Sequence, residues 1–272
     1  MRFVKYLIFH LCFFFTHIAV SDAGSARLVM ENNTNPLILL STSLGDIYIE
    51  LFSDEAPNNV ANFLALAHGE VEFTEKSSGN TFYPRYFDGM QFHRVVPGMF
   101  IQTGSPHYHP LGMPRKVMPD EINADILGLG QQLVMNDSGE LNPLLNIHGK
   151  KNFQQELLNP VLDHLGINSE PEISARQYEI YDLIANLSLK QAYEINGYTY
   201  TSDLTTRAIT RSIVALANSG PDSNGPEFFI ATSNLPSLNG KHTVIGKVVE
   251  GMDTVDAIGK TAIDPLDPSR FA

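Results

Sequence analysis

Cysteine is all but missing: the chain of 272 residues has one, Cys12, inside an apolar run near its start. Disulfide staples are excluded, so stability has to come from core packing and hydrogen bonds. Cations are scarce as well. With 18 Lys and Arg against 30 Asp and Glu the formal net charge is −12, which leaves no basic face to neutralise a phosphate backbone and argues against nucleic acid as a partner. Beyond about the first twenty residues no apolar run is long enough to cross a bilayer, which excludes a multi-span membrane protein. What is there, 43% hydrophobic and 18% charged residues, is the composition of an ordinary globular chain able to bury a substantial core.

The first 26 residues read as a secretory signal. Arg2 and Lys5 give a positive start, Tyr6 to Val20 an apolar core, and Ser21 to Ala26 a stretch of mostly small residues. Cleavage after Ala26 puts Gly24 and Ala26 where small side chains are needed, with Ala23 as a second candidate. An uncleaved anchor helix is the competing reading. Phe9-His10-Leu11 before Cys12 does not suit lipid attachment. A signal followed by a mature chain without thiols suits a bacterial periplasm, so a periplasmic or secreted location is expected, with no stable span once the signal is gone.

The mature chain, 27–272, reads as one mainly β domain with an interruption. Leu37 to Thr42 and Asp46 to Leu51 are strand-like runs around a turn at Leu44-Gly45, which predicts an antiparallel hairpin. Pro57, then Val60, Phe63, Leu64 and Ala67 at helical spacing, then Gly69, predict one amphipathic helix. Strand patterns recur at Met90 to Val96, Met99 to Gln102, Ser212 to Ala217, Glu227 to Thr232 and His242 to Val249, and a second helix fits Asp253 to Ile258. Many strands with two helices point to a closed or nearly closed antiparallel barrel. From about 128 to 210 the pattern turns helical. Phe153, Leu157, Leu158, Val161, Leu162 and Leu165 form one stripe, bent at Pro160; Ile173 to Leu187 carries another; Ser188 caps a third short helix.

Three stretches carry chemistry. In Phe92-His93-Arg94-Val95-Val96-Pro97-Gly98-Met99-Phe100-Ile101-Gln102, the alternation puts Arg94 on one face with Phe92 and Val96, and the returning strand puts Phe100 and Gln102 together. A neutral amide there fixes a guanidinium without neutralising it. The loop Asn218 to Pro226 leads into Glu227-Phe228-Phe229, whose two aromatic rings face opposite ways. Leu238-Asn239-Gly240-Lys241-His242 is a turn into a strand with a histidine near its start. Each stretch alone reads equally well as ordinary core or surface.

Together and in this order they resemble the cyclophilin family of peptidyl-prolyl cis-trans isomerases, as do Thr42 to Phe52, Ala56 to Phe63 and Gly246 to Met252. The resemblance covers about two thirds of the mature chain. It implies an eight-stranded antiparallel barrel capped by two helices, with a hydrophobic groove that receives a proline. It implies Arg94 as the catalytic arginine and Gln102 as its holder, and Met99, Phe100, Phe229 and Leu238 as the lining of the proline pocket. Asn218 falls where the family's backbone pairs with substrate, and His242 at the pocket's far edge. Proline-containing polypeptides are the implied partners; neither metal nor organic cofactor is implied.

Four departures stand out. Met99-Phe100 inverts the family's usual Phe-Met; Ser237 stands where many members have tryptophan, which implies weak cyclosporin binding; Glu227 replaces a common glutamine and brings an anion towards Arg94. The chain also stops at Asp267 to Ala272 without the family's last strand, which predicts an unpaired edge on Leu37 to Thr42. Between Asp120 and Asn218 lie the extra residues of the insertion, read either as a wall or lid beside the groove or as an inert outlying hairpin. Two rivals remain from other classes: a proline-peptide-binding chaperone module with little or no turnover, and a metal protein using His107 and His109.

Overall fold

The computed structural model describes residues 22–75, 78–114 and 116–261. The signal pattern up to residue 21 and the chain end from 262, on which the expectation about the last strand falls, lie outside them. A short helix, α1 (Ala23–Leu28), is capped by the Asp22 side chain and buries Ala26 completely.

Strands β1 (Leu37–Thr42) and β2 (Gly45–Leu51) form the expected hairpin, paired from Leu37↔Glu50 to Thr42↔Gly45. Gly45 takes φ 137° at the turn, a conformation closed to most side chains. Helix α2 (Pro57–His68) turns Val60, Phe63 and Leu66 inward at helical spacing and stops at Gly69, which is left-handed with φ 74°. Ala56 at its N-cap has no capping side chain. That role belongs to Glu121, whose carboxylate accepts from the backbone N–H groups of Asn58 and Asn59 at 3.0 and 2.9 Å. A small hairpin, β3 (Phe73–Thr74) with β4 (Thr81–Phe82), follows.

The remaining strands are β5 (Arg94–Val96), β6 (Phe100–Thr103), β7 (Ile213–Leu216), β8 (Phe228–Ala231) and β9 (Val244–Glu250). They join the first hairpin in one antiparallel sheet of order β1-β2-β9-β7-β8-β6-β5. This curled sheet has seven strands among the described residues, and β1 and β5 are its two edges. Two apolar layers cover it. The inner one packs Ile47, Ile49, Ile101, Phe228 and Ile230 against Val60 and Phe63 of α2 and Val255 and Ile258 of α8 (Met252–Gly259). Each such residue removed from water contributes roughly 1.5–3 kcal/mol. The outer layer contains Phe52, Phe100, Ala215, Phe229 and Val244.

Between β6 and β7 the chain builds a second body with its own core of Leu129, Val134, Leu157, Val161, Ile184, Leu189 and Tyr193. Its helices are α3 (Gly149–Phe153), α4 (Asn159–His164), α5 (Glu170–Ala175), α6 (Gln177–Asn186) and α7 (Leu189–Ile195). A π-helical turn, Gln154–Leu158, joins α3 to α4 just ahead of Pro160. The widened turn accommodates a residue that lacks an N–H and whose ring crowds the carbonyl four residues back. Ser188 and Gln191 close a capping box on α7, as the sequence predicted for the serine.

Candidate active site

Hairpin β5–β6 is turned by Pro97 and Gly98, the latter at φ 72°. Its register sets Arg94 opposite Gln102; the next pairings set Gln102 opposite Phe229 and Phe229 opposite Ala215. A cation, an amide, an aromatic ring and a methyl group therefore stand in one row across four strands. Phe100 and Phe229 meet on this outer face with ring centroids 5.3 Å apart, and Leu238 packs against the same cluster. Phe228 and Ile101 point the other way, into the inner core, as the two-residue period requires.

Arg94 Nη1 donates to Gln102 Oε1 at 3.1 Å, and its guanidinium carbon lies 5.0 Å from the Phe100 ring centre. Its Nε is buried without a hydrogen-bond partner. Burial lowers the arginine's pKa while the Glu227 charge raises it again, and the guanidinium remains a cation. Glu227 Oε1 accepts from His93 Nε2 at 2.9 Å and also from Gln102 Nε2. Burial pushes this carboxyl up, but the hydrogen bonds from His93 and Gln102 outweigh it and hold the group below the ordinary carboxylate value.

His242 sits at the edge of the cluster with its ring perpendicular to Phe229, centroids 5.4 Å apart. Its Nδ1 lies 3.0 Å from the Leu216 carbonyl, so Nδ1 carries the proton and donates. Burial brings its pKa down to about 4. Asn218 uses its side chain to tie loops together, donating from Nδ2 to Asn224 Oδ1 at 3.2 Å and to the Lys241 carbonyl at 2.9 Å.

Met99, which the resemblance sets in the pocket lining, is 38% exposed on the β5–β6 turn, while Phe100 enters the apolar cluster. Alternation is broken at one position. Phe92 packs against the inner core rather than beside Arg94, because strand β5 begins only at Arg94 and the two-residue period does not reach back to it. Sequence reasoning gave His93 no role; lying just before strand β5, it reaches Glu227 across the chain. His109 stacks on Tyr86 at 4.1 Å, and its Nδ1 accepts from the Leu111 N–H. Among the described residues no group of three or more His, Cys, Asp or Glu is placed to hold a metal.

The inserted segment reaches the site at the turn carrying Leu238 and His242 and through Ile209, which is buried in the outer cluster with Phe100 and Phe229. Tyr200 Oη donates to the Gly240 carbonyl at 3.0 Å, and Lys241 Nζ lies 4.7 Å from the Tyr193 ring centre. Gly240, at φ 80°, leaves no room for a side chain: a Cβ would come within 2.4 Å of Leu129 Cδ1. A cavity of about 1150 Å³ opens elsewhere, between β1 and residues 85–93, with Phe63, Val95 and Phe228 in its walls. It belongs to the inner side of the sheet, away from the outer-face cluster of Phe100, Phe229 and Leu238.

Residues 37–270 match the family model described as cyclophilin type peptidyl-prolyl cis-trans isomerase/CLD. Peptidyl-prolyl cis-trans isomerase A of Mycobacterium tuberculosis is 28% identical over 236 residues, covering 84% of this chain and 85% of that protein. A peptidyl-prolyl cis-trans isomerase of Arabidopsis thaliana is 29% identical over 230 residues, covering 85% and 86%. A solved cyclophilin type isomerase of Cryptosporidium parvum, crystallised in the presence of the dipeptide Ala-Pro, aligns with a TM-score of 0.44 and 18% identity over 85% of this chain and 89% of that one.

Proposed function

The chain belongs to the cyclophilin-type family of peptidyl-prolyl cis-trans isomerases, and we propose that it accelerates X-Pro rotation in folding or unfolded polypeptides by an arginine-assisted, non-covalent route. Rotation gives up amide resonance behind a barrier of about 18–20 kcal/mol. As the bond twists, the prolyl nitrogen regains its lone pair and becomes a better acceptor. A fixed guanidinium aimed at it stabilises the twisted state more than either planar one. Phe100, Phe229 and Leu238 offer an apolar surface for the proline ring, and no covalent intermediate, metal or cofactor enters the step.

The observation that carries this reading is Arg94 itself, tethered through Nη1 to Gln102 beside the Phe100–Phe229 pair with a buried, unpartnered Nε. Every tenfold in rate needs about 1.4 kcal/mol, which one well-aimed charged donor supplies. Residues 1–26 support a periplasmic or secreted setting, where the clients are polypeptides of the cell envelope. Ser237, in the turn beside Leu238, supports weak cyclosporin binding.

Exchange NMR on a short X-Pro peptide tests the reading with the native chain beside its Arg94→Ala variant. Isomerisation far faster than in the free peptide, lost in the variant, is expected. A folded native chain that binds the peptide without accelerating it would establish the chaperone-module reading instead.

A further inference from the structure

An amide has two ends, and Arg94 needs Gln102 to present its oxygen. What lies on the far side of Gln102 decides which end that is. Glu227 accepts from Gln102 Nε2, while Gln102 Oε1 accepts from Arg94 Nη1 at 3.1 Å. A carboxylate can only accept, and a guanidinium can only donate. Turning the amide over would set NH2 against the guanidinium and oxygen against the carboxylate, two mismatches at once. The carboxylate is itself held. His93 Nε2 lies 2.9 Å from the same oxygen, and with Glu227 as acceptor that nitrogen must carry the proton. The His93 and Glu227 side chains are only 11% and 23% exposed, so water competes weakly for these bonds.

We propose that Glu227 is a positioning residue of the isomerase, which locks the Gln102 amide in the one orientation that fixes Arg94 for the prolyl nitrogen. The proposal rests on the isomerase reading. Glu227 takes its hydrogen bonds from His93 and Gln102 and not from Arg94, so Gln102 Oε1 is left as the acceptor that holds the guanidinium. A neutral glutamine at this position has a donor as well as an acceptor, and specifies the orientation of Gln102 less strictly.

The test combines rate, affinity and a direct view of the amide. In peptide exchange NMR, Glu227→Ala is expected to lower the catalysed rate about tenfold, as for a lost hydrogen bond to a charged group, with peptide affinity nearly unchanged. Glu227→Gln falls between the two. In a Gln102→Ala background the Glu227→Ala change has no further effect, because its route runs through Gln102. Independently of turnover, the Gln102 side-chain NH2 gives one slowly exchanging 15N resonance pair in the native chain, and doubled or fast-exchanging signals in Glu227→Ala. A Glu227→Gln chain faster than the native one, additive effects in the double variant, or an unaltered Gln102 amide would overturn the proposal. A native chain without isomerase activity but with a Gln102 amide freed by Glu227→Ala would defeat the functional reading and leave the lock standing.

Discussion

Phe228 and Phe229 are neighbours in β8 that face opposite ways, one into the inner core and one onto the outer cluster, whereas Leu157, Val161, Ile184 and Leu189 of the insertion all turn into a single core. A strand alternates, so a sheet has a second face to spend on chemistry once the first is buried. A short amphipathic helix has one apolar stripe, and here the stripes of the insertion serve its own cluster. Function in this chain therefore sits on the outer face of the sheet. The sheet holds the converging cation, amide and aromatic pair. The insertion meets the site at the turn carrying Gly240 and Lys241 and through Ile209 in the outer cluster.

The sharpest way to break this comparison is to alter each side and read both rate and stability. Arg94→Ala should lower the peptide isomerisation rate by about 10²–10³-fold, as expected for removing one preorganised charged donor, while thermal unfolding stays near the native midpoint. Leu189→Ala, at a fully buried position of the insertion, should do the reverse. Chemical denaturation should register a loss of about 2–5 kcal/mol in stability, with the rate of the folded fraction retained. A rate loss matching that of Arg94→Ala would place the insertion inside the chemistry.

His242 sharpens the comparison through pH. Its folded pKa of about 4 lies below the ordinary 6.5, so the folded chain keeps the ring neutral. The resulting stability is complete above about pH 6.5 and is lost as pH falls towards 4, by about 3 kcal/mol in all. Denaturation at pH 7 and pH 4.5 should register that decline, and His242→Gln should flatten it. The smallest effect belongs to the junction. Tyr200→Phe removes the hydrogen bond to the Gly240 carbonyl and should cost about 0.5–1.5 kcal/mol, with chemical-shift changes that spread to Leu238 and His242. Shifts confined to the insertion would mean that the two bodies are uncoupled.

Local rules made much of this legible in the sequence. The β1–β2 hairpin, α2 between Pro57 and Gly69, the opposed faces of Phe228 and Phe229, and the joint placing of Arg94, Phe100 and Gln102 follow from turn residues and short periods. What stayed hidden depends on distance along the chain. Glu121 caps α2 from more than sixty residues away, and His93 meets Glu227 across 134 positions. No pattern of period two or 3.6 encodes such a pairing. Phe92 was misplaced for a related reason: it precedes a short strand, where alternation lapses and the turn decides which way a side chain points.

The most direct test of the account is a single exchange-NMR sample of a short Ala-Pro peptide with the 15N-labelled native chain. The account predicts cis–trans exchange at mixing times where the free peptide shows none, with shifts centred on Arg94, Gln102, Phe100, Phe229 and Leu238. Exchange no faster than in the free peptide, or shifts confined to residues of the insertion, would contradict it.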